Sequence, residues 1–163
     1  MKEILVRFAS YNHWANQQLV AVMLKLNAEQ VMQDPGGTFP SLFKTVCHLW
    51  QGESIWYQRL QLTEQPVDPT ASFSGSFTEA CEAWLRQSLR LQEWVKQATE
   101  ARLNHTIAFA PRKGEQVKLP VRDAVMDSCN HSTFYRGQLV RMLQQLGVKR
   151  VPATDYHRFK PKK

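Results

Sequence analysis

Residues 121–147 read VRDAVMDSCNHSTFYRGQLVRMLQQLG. Apolar side chains recur there at intervals of three and four, the period of an amphipathic helix, and predict one helix from Val121 to Leu146. Pro120 suits a helix N-terminus, where a missing N–H leaves no bond unmade. Gly147 stands where a left-handed C-terminal cap belongs. Upstream, Thr106-Ile107-Ala108-Phe109-Ala110 and Gln116-Val117-Lys118-Leu119 flank the turn-rich Pro111-Arg112-Lys113-Gly114, and together they predict a small β-hairpin or an irregular excursion.

The same period recurs three more times. Ala80, Trp84, Leu85, Leu89, Leu91, Trp94, Val95 and Ala98 predict a helix of about 20 residues that ends before Asn104, entered from a polar connection at Ser72–Ser76. Leu42, Val46, Leu49, Trp50, Trp56 and Leu60 give another, with Ser41 as its N-cap and the Gln65-Pro66-Val67-Asp68-Pro69 run as its break. Ile4, Phe8, Tyr11, Ala15, Leu19 and Val22 give the first, over residues 3 to 25. Asn27-Ala28-Glu29-Gln30 predicts a short helical turn, and Asp34-Pro35-Gly36-Gly37 a loop. Four long helices joined by short connections predict an all-α four-helix bundle, because each apolar stripe needs a partner and the hairpin is too small to cover them.

The composition bounds this reading. A chain of 163 residues, 43% apolar and 21% charged, builds one core and not two, so residues 1–163 are expected to form a single domain. No run approaches the roughly 18 consecutive apolar residues of a membrane span, and residues 1–7 carry no uninterrupted apolar signal region. Cys47, Cys81 and Cys129 are odd in number, widely spaced and free of any CxxC pair, which argues for reduced thiols in a cytoplasmic protein rather than a disulfide framework. Of the net charge of +7, residues 149–163 hold six cations against Asp155 alone, a local +5 that leaves +2 for the body. The basicity therefore belongs to a solvated C-terminal tail, and a nucleic-acid partner is not expected.

Chemistry in such a bundle is built from inward-facing polar residues, since their burial must be compensated. His48 is one candidate on the second long helix. Asp127, His131 and Tyr135, four apart, share a face of the last helix, which Gln138 and Met142 extend. Two neutral imidazoles meeting across a bundle with a third donor one turn along form an arrangement that binds Zn²⁺, Ni²⁺ or Fe²⁺. The five tryptophans read as core and interface packing rather than a base-stacking platform. His13 and His105, without partners at ligand spacing, read as surface or loop residues. Arg136 is expected in an ion pair within or between subunits, Gln138 as a brace and Asp155 as a cap or pairing residue. No phosphate loop, GxSxG elbow or HExxH occurs.

The run Asn130-His131-Ser132-Thr133-Phe134-Tyr135-Arg136-Gly137-Gln138 resembles the DinB/YfiT-like family signature, a His followed four positions later by His-Arg-Gly-Gln. Tyr11-Asn12-His13-Trp14-Ala15-Asn16, Phe39-Pro40-Ser41, His48-Leu49-Trp50 and Pro152-Ala153-Thr154-Asp155-Tyr156 extend the resemblance over nearly the whole chain. It implies an up-down-down-up bundle, often a homodimer, and a divalent metal held by three histidines, one on the second helix and two on the fourth. Carried over by position, the ligands are His48 and His131, while Tyr135 replaces the third histidine. A phenol, with its ordinary pKa of about 10, is a weak ligand at neutral pH. Three arrangements stay open: a metal held by His48 and His131 with Tyr135, Asp127 or water; a metal-free hydrogen-bonded histidine pair; or histidines facing apart.

Relatives include thiol-dependent S-transferases and an isomerase, so the resemblance implies a metal-dependent enzyme that activates a small thiol toward an electrophilic substrate, or hydrolysis by a metal-bound water. The alternative is a noncatalytic dimeric bundle that binds a small molecule or a protein in a stress response.

Overall fold

The computed structural model describes residues 1–34, 36, 39–112 and 114–161. Pro35 and Gly37 of the expected loop, Lys113 of the expected hairpin turn, and Lys162 and Lys163 of the basic tail lie outside the described residues. Six helices and one hairpin follow in the order α1 (Lys2–Met23), α2 (Ala28–Met32), α3 (Leu42–Leu60), α4 (Phe77–Gln97), α5 (Glu100–Asn104), β1 (Thr106–Phe109), β2 (Val117–Pro120) and α6 (Val121–Gln145), with a 3₁₀ turn at Tyr156–Arg158.

Local chemistry sets these limits. Ser41 Oγ accepts from the Lys44 N–H at the start of α3. Asn27 with Gln30 and Ser76 with Glu79 form reciprocal capping boxes at α2 and α4, each satisfying N–H groups the helix cannot. Pro120 occupies the N-cap of α6. At the other end Gly147 has φ +79°, and the Val148 N–H reaches back to the Leu143 carbonyl at 3.0 Å, closing the helix through a left-handed residue as expected. The short α5, capped by Thr99, is an extra turn that the periodicity does not predict.

The four long helices pack in a ring, each of α1 and α3 touching both α4 and α6. Their apolar faces form two core clusters. One joins Leu5 and Ala9 near the start of α1, Leu60 at the end of α3, Leu91 and Val95 late in α4, and Val121 and Val125 at the start of α6. The other joins Leu19 and Met23, Leu42 and Val46, Ala80 and Trp84, and Leu139 and Leu143 from the opposite ends. α1 and α6 therefore run one way and α3 and α4 the other, the up-down-down-up order.

The antiparallel hairpin, registered Thr106 opposite Pro120, closes the first cluster through buried Ile107. Arg59 stacks there over Trp56 and Phe109, at 4.8 and 4.1 Å from their ring centres. The C-terminal segment departs from a freely solvated tail. Phe159 is buried against Tyr11, Ala15 and Trp14, and Tyr11 Oη donates to the Thr154 carbonyl at 2.7 Å. Asp155 pairs with Arg158 at 3.4 Å. Apolar anchoring thus overrides the segment's charge, because burying a phenyl ring offsets the ordering of a few residues. All three cysteines are free, and among the described residues no helix is long and apolar enough to cross a membrane.

Candidate functional site

Between the two apolar clusters lies a layer of buried polar side chains. Its centre is Glu53 of α3, fully buried. Glu53 Oε1 accepts from Asn12 Nδ2 at 3.0 Å and Asn16 Nδ2 at 3.1 Å on α1, from Trp84 Nε1 at 3.3 Å on α4, and from Ser132 Oγ at 2.8 Å on α6. The same two asparagines present their oxygens to Arg136 Nη1, at 2.9 Å for Asn16 and in a short bond for Asn12. Arg136 Nη2 also donates to Thr133 Oγ1 at 2.8 Å, and its guanidinium lies 5.5 Å from the Tyr11 ring centre.

Two amides therefore relay a buried carboxylate to a buried guanidinium. Burial pushes the Glu53 carboxyl up, against the pull of its four donors. Burial likewise pushes Arg136 down, against Tyr11 and Glu53. Among the described residues Arg136 thus makes no direct ion pair within the chain, where the sequence reading expects one: the asparagines stand between the charges. Glu53, Asn12 and Asn16 carry this layer; the asparagines stand out in the sequence only as part of the first-helix motif, and the sequence reading passes Glu53 over. Its signal is positional, since Glu53 falls four residues after Leu49 and seven before Leu60, inside the apolar stripe of α3.

One turn away on the same two helices, His48 and His131 meet. Their Nε2 atoms are 3.2 Å apart. Tyr135 packs edge-on to His48 with ring centres 4.4 Å apart and lies 4.6 Å from His131, while Phe39 covers His48 at 4.6 Å. The close approach of α3 and α6 depends on Gly52. A Cβ there would sit 2.6 Å from His131 Cε1 and 3.0 Å from its Nδ1. Both rings stay neutral near pH 7: burial, reinforced by His48, lowers His131 to about 4, and burial lowers His48 against a smaller opposing effect of Gln51.

The three side chains expected to gather thus do so, whereas Asp127 is exposed and its charge acts on Arg59. Met142 is buried on the same helix and accepts from Thr45 Oγ1 at 3.5 Å. His13 departs from the expected surface role. It is half-buried, with Nδ1 2.7 Å from Ser88 Oγ, while His105 is exposed.

His48 opens onto a cleft of about 440 Å³ walled by Phe39, Phe43 and Phe73, with Lys44, Cys47 and Gln51 on its rim. Burial raises the Cys47 thiol, so it is not poised as a nucleophile. As metal donors, the two imidazoles suit a single ion. Two nitrogens on one tetrahedral Zn²⁺, each at about 2.0–2.1 Å, lie about 3.3 Å apart, close to the spacing of this pair. Among the described residues no third His, Cys, Asp or Glu joins them. The two remaining positions would fall to the Tyr135 phenol and water, or to water alone.

Two outcomes follow from this geometry. Gly52→Ala is expected to push the His131 ring off α3, breaking its contact with His48 and costing about 1–3 kcal/mol of stability, measurable by denaturant unfolding and by the histidine NMR signals. Because the folded His131 pKa lies below its unfolded value of about 6.5, the unfolded chain binds a proton that the native ring refuses. Stability should fall as pH drops from about 6.5 toward about 4. His131→Asn should reduce that slope in unfolding curves taken across the same window.

The profile of the DinB family matches residues 1–163. Protein DinB of Bacillus subtilis (strain 168) is 27% identical over 165 residues, spanning 96% of this chain and 93% of that protein. The crystal structure of a DinB-like protein from Bacillus subtilis superposes with a TM-score of 0.68 at 15% identity, covering 93% of this chain and 97% of that one, a likeness of fold. Matched by the family profile along all 163 residues, the chain belongs to the DinB family.

Proposed function

We propose that this chain is a metal-dependent enzyme of the DinB type, in which His48 and His131 hold a divalent ion, Zn²⁺, Ni²⁺ or Fe²⁺, beside Tyr135, and a small thiol is transferred to an electrophilic substrate in the adjoining cleft. The observation that carries the reading is the neutral imidazole pair, with Nε2 atoms 3.2 Å apart beside a cleft of about 440 Å³. Neutral rings offer lone pairs without first losing a proton, so little proton competition opposes binding near pH 7.

The protein's own contributions follow from its packing. His48 and His131 are clamped between Gly52, Phe39 and Tyr135 and cannot turn freely. Phe39, Phe43 and Phe73 exclude water from one side of the cleft and favour an apolar electrophile, while Lys44 offers a cation to an anionic substituent on either reactant. Once bound, the metal would act as a Lewis acid that lowers the pKa of a thiol and presents it as thiolate. A cytoplasmic homodimer belongs to the same proposal, the dimer supported by the family resemblance of the signature residues and the compartment by three free cysteines without a CxxC pair.

A second reading is favoured by one observation. As they stand, the two histidines can satisfy each other at 3.2 Å, and among the described residues no third imidazole joins them. That arrangement suits a noncatalytic bundle that binds a small molecule or a protein partner.

Incubating the metal-replete protein with a low-molecular-weight thiol and an alkylating electrophile separates the two. Metal-dependent thiol consumption, reduced at least about tenfold in both His48→Ala and His131→Ala, is expected. Equal rates in the three proteins would reject the enzyme and leave the binding bundle.

A further inference from the structure

Four buried side-chain atoms are without a protein hydrogen-bond partner among the described residues: Glu53 Oε2, Gln87 Nε2, Ser128 Oγ and His131 Nδ1. Gln87 belongs to α4. The other three fall on facing segments of α3 and α6. Gly52 lies against the Cε1–Nδ1 edge of His131, and the next residue, Glu53, bonds Ser132 Oγ. Ser132 Oγ also lies 3.2 Å from the Ser128 carbonyl. Ser128 and His131, three apart, are neighbours on the surface of α6.

The asymmetry of the Glu53 carboxyl is the strongest sign. Four donors converge on Oε1 and none on Oε2, although the residue is fully buried. An ionised Oε2 needs a donor there, and a protonated one needs an acceptor, so the atom calls for a partner in either state. The two other unpartnered atoms on these facing segments, a serine hydroxyl and an imidazole nitrogen, have the same need. A water molecule, with two donors and two acceptors, serves three such groups at once.

We propose that one buried water joins Glu53 Oε2, Ser128 Oγ and His131 Nδ1, and that Glu53 acts through it as a positioning residue, holding the proton of the neutral His131 ring on Nδ1. The water accepts from His131 Nδ1–H, donates to Glu53 Oε2, and exchanges its remaining bond with the Ser128 hydroxyl, which can rotate to give or take. His131 Nε2 then turns its lone pair toward His48, whose Nε2–H donates across the 3.2 Å contact. Carboxylates that back a ligating histidine in this way fix its tautomer and orientation. The inference deepens the proposed metal site by naming the group that prepares one of its donors, but its test uses metal-free protein and so fails or stands separately from that reading.

In metal-free protein with ¹⁵N-labelled histidine, long-range ¹H–¹⁵N correlations should place the His131 proton on Nδ1. A crystal structure that resolves ordered solvent should show a water within hydrogen-bond distance of all three atoms. Glu53→Gln should lower the Nδ1–H population severalfold, because the amide offers N–H groups to the water where the carboxylate accepted. If that variant does not fold, the wild-type tautomer and the resolved water decide, since Ser128→Ala removes only the third partner of the water and should leave the proton on Nδ1. Protonation of wild-type His131 on Nε2, the absence of that water, or an unchanged tautomer in folded Glu53→Gln would overturn the proposal.

Discussion

A single buried carboxylate oxygen sets the geometry of this bundle. Glu53 Oε1 gathers donors from α1, α4 and α6, so the helix that carries it is tied to the other three at one level. Apolar packing alone permits neighbouring helices to slide or rotate at small cost, since hydrophobic contacts are non-directional. A fully buried carboxyl group does not permit it, because any shift that strips a donor leaves a buried polar group unsatisfied, at a cost of about 1–3 kcal/mol. Asn12, Asn16 and Arg136 extend the constraint by one shell and bring a balancing cation into the same layer.

The candidate site inherits its precision from that layer. His131 immediately precedes Ser132, which bonds Glu53, and Gly52 immediately precedes Glu53, so the contact that fixes the register of α3 and α6 is adjacent to the one that brings the imidazoles together. Tyr135 then packs against both rings, and Phe39 covers His48 on the cleft side. Stability and chemistry are thus built from the same pair of helices, one face of polar bonds holding the other face of donors in place. The cost is a group of buried polar atoms whose needs the described residues leave unmet, three of the four on facing segments of α3 and α6.

Much of this was open to reading from the residues. The helix limits followed from caps and periodicity, with Ser41 and Gly147 in their expected roles and the hairpin in its expected place. The up-down-down-up order and the meeting of His48, His131 and Tyr135 followed from the family-like motifs, which no single periodicity could have supplied. The polar layer escaped because a Glu at an apolar position looks like an exception rather than a hub until its partners on three other helices are known. Asp127 misled for the opposite reason: a spacing of four puts it on one side of α6 with His131, but over eight residues that alignment drifts from Tyr135 by about 80°, and Asp127 ends beside Arg59. The anchoring of Phe159 was masked by the charge around it.

The replacement of a third imidazole by Tyr135 is the point on which the functional account turns. The direct measurement is elemental analysis of protein purified without a histidine tag or chelator, alongside Tyr135→His prepared identically. The account predicts about one divalent ion per chain in the native protein, held by two imidazoles and completed by the phenol or water. An empty native protein beside a filled Tyr135→His variant would contradict it, and would mean that the scaffold keeps its donors in place while this chain no longer uses them for metal chemistry.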